Sequence, residues 1–162
     1  MSISRTLAGL TAAATAAIAT LAAVAAAAPA AQAAQADAGS AWGPYHAPRH
    51  TAKTWGTLSA VGEDHATLPT ARQIKITGKV YDNTRGSACG WAVFRITYRK
   101  GNNLPFRHHS VIDCSYRTPK HFSFKYRNVY QVELKVCSEF KTAKPSLNCL
   151  YAGTWKTLYL SK

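Results

Sequence analysis

Acidic residues are what this chain most lacks. Seven Asp and Glu stand against twenty Lys and Arg in 162 residues. Catalysis by a facing pair of carboxylates therefore has few candidates to draw on. Metal-binding signatures are missing too: there is no C-x₂-C pair, and the closest cysteines lie twelve positions apart, which argues against a zinc module. No G-x-S-x-G elbow is present to carry a nucleophilic serine, no Asn-x-Ser/Thr sequon occurs, and no internal repeat is visible. Sustained helical periodicity is absent beyond the first forty residues. No cofactor is expected.

The opening segment, by contrast, is strongly patterned. Arg5 precedes an alanine-rich apolar run from Leu7 to Ala28, followed by small-residue sites at Ala31-Gln32-Ala33 and Ala34-Gln35-Ala36. A basic start, an apolar middle and an A-x-A site predict a secretory signal peptide over residues 1–36. A membrane anchor is the competing reading, since the run is long enough to span. Alanine is only weakly apolar, and the cleavage sites favour removal. No twin arginine is present, which points to the general secretion route. No second apolar run follows, so no membrane association is expected after cleavage. Removing 36 residues from 162 leaves 126, the length of one domain.

All four cysteines, Cys89, Cys114, Cys137 and Cys149, fall in the exported part. An even count in a small exported chain predicts two disulfides. Three pairings are possible. Cys89–Cys114 with Cys137–Cys149 is favoured, because each would join neighbouring strands.

Residues 37–51, DAGSAWGPYHAPRHT, are rich in Gly, Pro and Ala and predict an irregular N-terminal arm. Residues 52–162 predict a disulfide-bonded β domain. A weak strand candidate starts at Lys53. Ile74, Ile76 and Val80 then alternate with Lys75, Thr77 and Lys79, the period-two mark of a half-buried strand. Gly78 occupies an apolar position and predicts a bulge or a close backbone approach. Further alternating runs cover Ala92–Tyr98, Val111–Cys114, Phe122–Tyr126, Tyr130–Val136 and Gly153–Leu160, with a turn or kink at Arg127-Asn128 and a proline loop over Lys141–Asn148. Short strands divided by turn residues predict an all-β, antiparallel, immunoglobulin-like sandwich of about seven strands, with a small partly open β-barrel as the alternative.

CGWAVFRITYR, NLPFRHHSVIDCSY, YRNVYQVELKVCSE and SLNCLYAGTWKTLYL, behind the alanine-rich leader, resemble small secreted proteins of Streptomyces and related actinobacteria. The resemblance covers Gln73 to Lys162. It implies export and an all-β domain, and it carries over no activity and no site residue.

Candidate chemistry is sparse. His108, His109 and Asp113 are the best catalytic constellation, yet on a strand His109 and Asp113 would stand about 13 Å apart, at ~3.3 Å per residue. Ser110 faces away from His109, so a triad lacks its nucleophile. Two polar residues at a strand start, satisfied by water or backbone, is the simpler account. Glu133 and Glu139 would be separated by about 20 Å of strand, beyond either glycosidase mechanism. His46 and His50 have metal-ligand spacing for a helix, but Pro44 and Pro48 oppose a helix. They predict a surface arm with at most weak recruitment of zinc or copper. His65 and His121 suggest no chemistry. No catalytic residue and no metal ligand is assigned.

Basic residues give the strongest hint. From Asn83 to the C-terminus, fourteen Lys/Arg face three Asp/Glu. Lys75 and Lys79, Arg95 and Arg99, and Lys125 and Arg127 occupy alternate strand positions opposite apolar residues. Neighbouring strands would align them into cationic rows that attract polyanions. A solvated face that blocks edge-to-edge aggregation explains the same pattern. Trp42, Tyr45 and Trp55 are candidates to stack on sugars or bases, unless the arm packs back and buries them. Trp91 and Trp155 are expected to cover the core or its disulfides.

The composition thus predicts a non-catalytic secreted β domain. Its expected partner is an anionic cell-wall polymer, a glycan or extracellular nucleic acid. Two rivals are a secreted inhibitor presenting the Lys141–Asn148 loop to a hydrolase, and a small hydrolase using His108 or His109.

Overall fold

The computed structural model describes residues 39–162; the expected signal peptide and its cleavage sites lie outside the described residues. Seven strands follow in chain order: β1 (Ser40–His46), β2 (Ala52–Glu63), β3 (Ala71–Asp82), β4 (Ala88–Tyr98), β5 (Phe106–Asp113), β6 (Lys120–Phe140) and β7 (Lys156–Leu160). One short helix, α1 (Leu147–Tyr151), precedes β7. Every strand pairing is antiparallel, in the order β1-β2-β3-β6-β4-β5, with β7 also on β6. The expected all-β antiparallel fold is what forms.

β6 explains how a single sheet becomes two layers. Its first half pairs with β3, from Lys120 opposite Val80 to Val129 opposite Ala71. Its second half pairs with β4, from Val129 opposite Tyr98 to Phe140 opposite Ala88. Partners change at Asn128, which has φ 54°, a left-handed value that asparagine tolerates better than most residues. The two strands expected on either side of Arg127-Asn128 are therefore one strand with a left-handed joint. The first layer is β1-β2-β3 with the start of β6; the second is β7, the end of β6, β4 and β5.

The layers bury their inner faces against each other. Leu58, Ile74, Ile76 and Val80 meet Ala92, Phe94, Ile96, Val132 and Leu134. Phe94 is fully buried and touches Trp42, Phe122 and Phe124 edge-on at ring separations of 6.0, 5.5 and 5.0 Å. Truncating such a ring costs about 3–5 kcal/mol.

Residues 40–46 are a correction to the sequence reading. They form β1 on the edge of β2, not an irregular arm. What recruits them is Trp42, which is 7% exposed and inserts between the layers. Burying so large an aromatic outweighs the turn-forming Gly and Pro around it.

A second, smaller core sits on the outside of the second layer. Trp91 and Val93 pack with Cys137, Cys149, Ile112, Leu150 and Trp155. β4 is consequently buried on both faces from Cys89 to Phe94. Both expected disulfides are present. Cys89–Cys114 ties the start of β4 to the residue after β5, and Cys137–Cys149 fastens α1 to β6. Ser146 caps α1 by accepting from the Cys149 amide at 3.1 Å, and the Glu139 carboxylate accepts from the Ser146 amide and hydroxyl at 2.8 and 2.6 Å.

Candidate functional site

The outer face of the first layer is built from odd-numbered residues of β2, β3 and β6. Strand register places them in rows: Trp55, Lys79 and His121; Thr57, Thr77 and Ser123; Ser59, Lys75 and Lys125; Val61, Gln73 and Arg127. Lys75 stands directly opposite Lys125. Like charges in that relation repel, and would be relieved by a bound anion. Lys53 extends the face, with its ammonium 4.7 Å from the Tyr81 ring centre and 5.4 Å from that of Trp55. From the Lys53 row to the Gln73 row the face runs roughly 27 Å at ~3.3 Å per residue.

No carboxylate stands within these rows; Glu63 follows one row beyond Val61, at the end of β2, and accepts from the Tyr159 hydroxyl. Among the described residues the ion pairs are Arg95–Glu133 and Arg99–Asp64, and neither lies on this face. Lys75, Lys79, Lys125 and Arg127 therefore share one surface without an acidic partner, as alternation predicts. Arg127 also borders a polar cleft of about 490 Å³ with Arg72, Val61, Gln73 and Asn128.

Arg95 and Arg99 do not join that surface. Arg95 lies on the outside of the second layer, where its Nε donates to Glu133 at 2.7 Å and its guanidinium stacks 4.6 Å from the Trp155 ring centre. Arg99 donates to the Leu68 carbonyl at 2.7 Å and to the Asp64 carboxylate. Each closes a loop: Arg95 holds down Trp155, and Arg99 holds residues 64–70. Asp64 also accepts from the Thr70 amide at 2.8 Å, and that bond, with help from Arg99 and Ala66, draws its pKa down to about 2.

The three aromatic candidates divide likewise. Trp42 is buried in the core and is not placed to stack on a ligand, whereas Tyr45 is half-buried against the core and borders a concavity with His46, Lys135 and Lys156. Trp55 stands on the outer face beside Lys53 and borders two shallow concavities, one with Thr57, Lys79 and His121, the other with Pro44, His46 and Lys53. Lys53, His121 and Tyr81 were missed from the sequence; the same odd-position rule that selects Lys75 selects them once β2 and β6 are known to flank β3.

The histidine pair is separated by the strand. His109 points inward, its ring 3.9 Å from Phe124 and its Nδ1 3.2 Å from the Tyr126 hydroxyl. Burial pulls its pKa below the ordinary imidazole value. Asp113 instead accepts from the Ser115 and Asp82 amides at 3.0 and 3.4 Å, in support of the Cys89–Cys114 end of the fold. His108 points outward and stacks parallel to Trp155 at 5.7 Å; burial, then Arg95, lowers its pKa. Lys135 completes that cluster. It is 5% exposed, donates to the Leu150 and Gly153 carbonyls at 3.0 and 3.3 Å, and has its pKa lowered by burial and by Arg95. Glu133 and Glu139 are each engaged as described, on Arg95 and on Ser146. These contacts fasten the α1–β7 segment and leave no acid beside either imidazole.

No protein-family model matches the chain, and neither a curated protein nor a solved structure is detectably similar to it. Among the described residues no helix is long and apolar enough to cross a membrane.

Proposed function

We propose that the chain is a secreted, non-catalytic β domain that binds an anionic polymer or glycan at the cell surface through the outer face of its first layer. One observation carries the reading: Lys75 and Lys125 are paired across β3 and β6 in rows that hold no carboxylate, while Arg95 and Arg99 have acidic partners elsewhere. Trp55 and Tyr81, braced by Lys53, add aromatic surface for a sugar ring or a base. Export is part of the proposal and rests on the leader sequence. The test is retention on teichoic acid, heparin and single-stranded DNA matrices at about 50 and 500 mM salt, where electrostatic binding falls steeply with salt. Equal retention at both concentrations, or none at the lower, rejects it.

A second reading has its own support. α1 exposes Leu147 and Tyr151, 73% and 78% accessible, on one side of a helix pinned by the Cys137–Cys149 bridge, with exposed Phe140 nearby. A stiff segment with apolar tips is how an inhibitor would engage an extracellular hydrolase. A salt-resistant complex abolished by Tyr151→Ser, and untouched by Lys75→Glu, would favour it over polymer binding.

A further inference from the structure

His46 and His50 meet at one end of the cationic face, although no helix brings them together. His46 closes β1, and Pro48–His50 form a single 3-10 turn. Arg49 and His50 both have φ 57°, a left-handed conformation that costs a non-glycine residue about 1 kcal/mol or more. The turn is held from outside. The Ala47 amide donates to the Ala52 carbonyl at 2.9 Å, and the Asn83 side chain donates to the His50 carbonyl at 2.9 Å. The result is two imidazoles with centres 4.5 Å apart and Nδ1 atoms 3.0 Å apart.

That separation suits a chelate. With metal–nitrogen bonds of about 2.0–2.1 Å, nitrogens at this distance subtend roughly 90° at a shared ion. A hydrogen bond between two exposed imidazoles is a weak reason to hold two consecutive residues in left-handed backbone; a shared ion is a stronger one. A concavity of about 400 Å³ lined by Pro44, His46, Lys53 and Trp55 adjoins the pair and leaves room for water or an anionic donor to complete the coordination.

We propose that His46 and His50 form a bidentate site for a divalent transition-metal ion. Imidazole suits copper, nickel and zinc, and two nitrogens without a thiolate or carboxylate should rank them with Cu²⁺ tightest. Among the described residues no cluster of three or more His, Cys, Asp or Glu could hold a metal, so the site is two-coordinate from the protein. Lys53, paired with His46 in the β1–β2 register, opposes the ion and keeps the affinity moderate.

The test is calorimetric titration of the chelator-treated full chain with Cu²⁺ and Zn²⁺. One equivalent of Cu²⁺ should bind, more tightly than Zn²⁺. His46→Ala and His50→Ala should each weaken it at least tenfold, and His65→Ala should leave it unchanged. In the unmutated chain, substoichiometric Cu²⁺ should broaden the ring protons of His46 and His50 before those of any other histidine; this readout needs no variant to fold. Absence of Cu²⁺ binding, affinity that survives either substitution, or broadening centred on another histidine overturns the proposal.

Discussion

Gly56 pairs with Gly78 across β2 and β3, and the indole of Trp42 lies over the space where their side chains would be. A Cβ on Gly56 would come within 1.9 Å of the Thr77 carbonyl oxygen and 2.7 Å of the Trp42 ring; one on Gly78 would come within 2.6 Å of the Trp55 carbonyl oxygen and 2.7 Å of Phe122. The close backbone approach expected at Gly78 is thus the seat of β1. Gly78→Ala should destabilise the fold by about 1–3 kcal/mol through overpacking. Urea unfolding measures it, and a midpoint equal to that of the parent would refute the role.

Lys75→Glu separates function from stability. It replaces a repulsive cross-strand pair with an attractive one, so stability should hold or rise by roughly 0.2–1 kcal/mol. Binding to anionic matrix should weaken in the same variant. Arg99→Gln should do the reverse, lowering stability through loss of the Asp64 and Leu68 contacts while matrix retention persists. Parallel losses of both properties in Lys75→Glu would show that the face is structural.

Removing the Cys137–Cys149 bridge by a double alanine substitution should cost about 2–3 kcal/mol, the value for a short closed loop. It should also free α1 from Trp91, which is 1% exposed beneath it. A red shift of tryptophan emission before the main unfolding transition is the expected signature. Emission unchanged until global unfolding would mean that Lys135 and Arg95 hold the segment unaided.

Asp64 predicts an acid transition. Its folded pKa, about 2, lies below the ordinary carboxyl value of 3.8, chiefly because of the Thr70 amide. A depressed carboxyl adds stability above its unfolded pKa and loses it as pH falls through the folded one. The Asp64→Asn variant should therefore melt below the parent at pH 5, and the gap should close between about pH 4 and pH 2. A gap of constant size across that window would rule out the carboxylate as its source.

How much of this was legible depended on where the signal was local. Lys75, Ile76, Thr77 and Lys79 sort correctly onto two faces because period two is a property of one strand. The Cys89–Cys114 bridge follows from strands that are neighbours, whereas Cys137–Cys149 joins β6 to α1, a helix that no sustained periodicity announced. Arg95 and Arg99 share the alternation of Lys75, and nothing within β4 reveals that Glu133 and Asp64 wait opposite. β1 was illegible for the reverse reason: its strand character comes from a glycine pair 14 and 36 residues downstream of Trp42, not from its own Gly and Pro. A signal was overlooked in GWAVF, where Trp91 and Val93 break the polar side of the alternation. Such a doubly apolar run marks a strand covered on both faces, and the cover is α1 and Trp155.

β6 has one more consequence. Residues 131–134 are bonded to β4 on one side and to β7 on the other, while residues 120–129 complete the first layer. Neither layer can detach without taking the spine of the other. The molecule should therefore come apart in one step, and the amides around Val132 should be among the last to trade their protons with solvent.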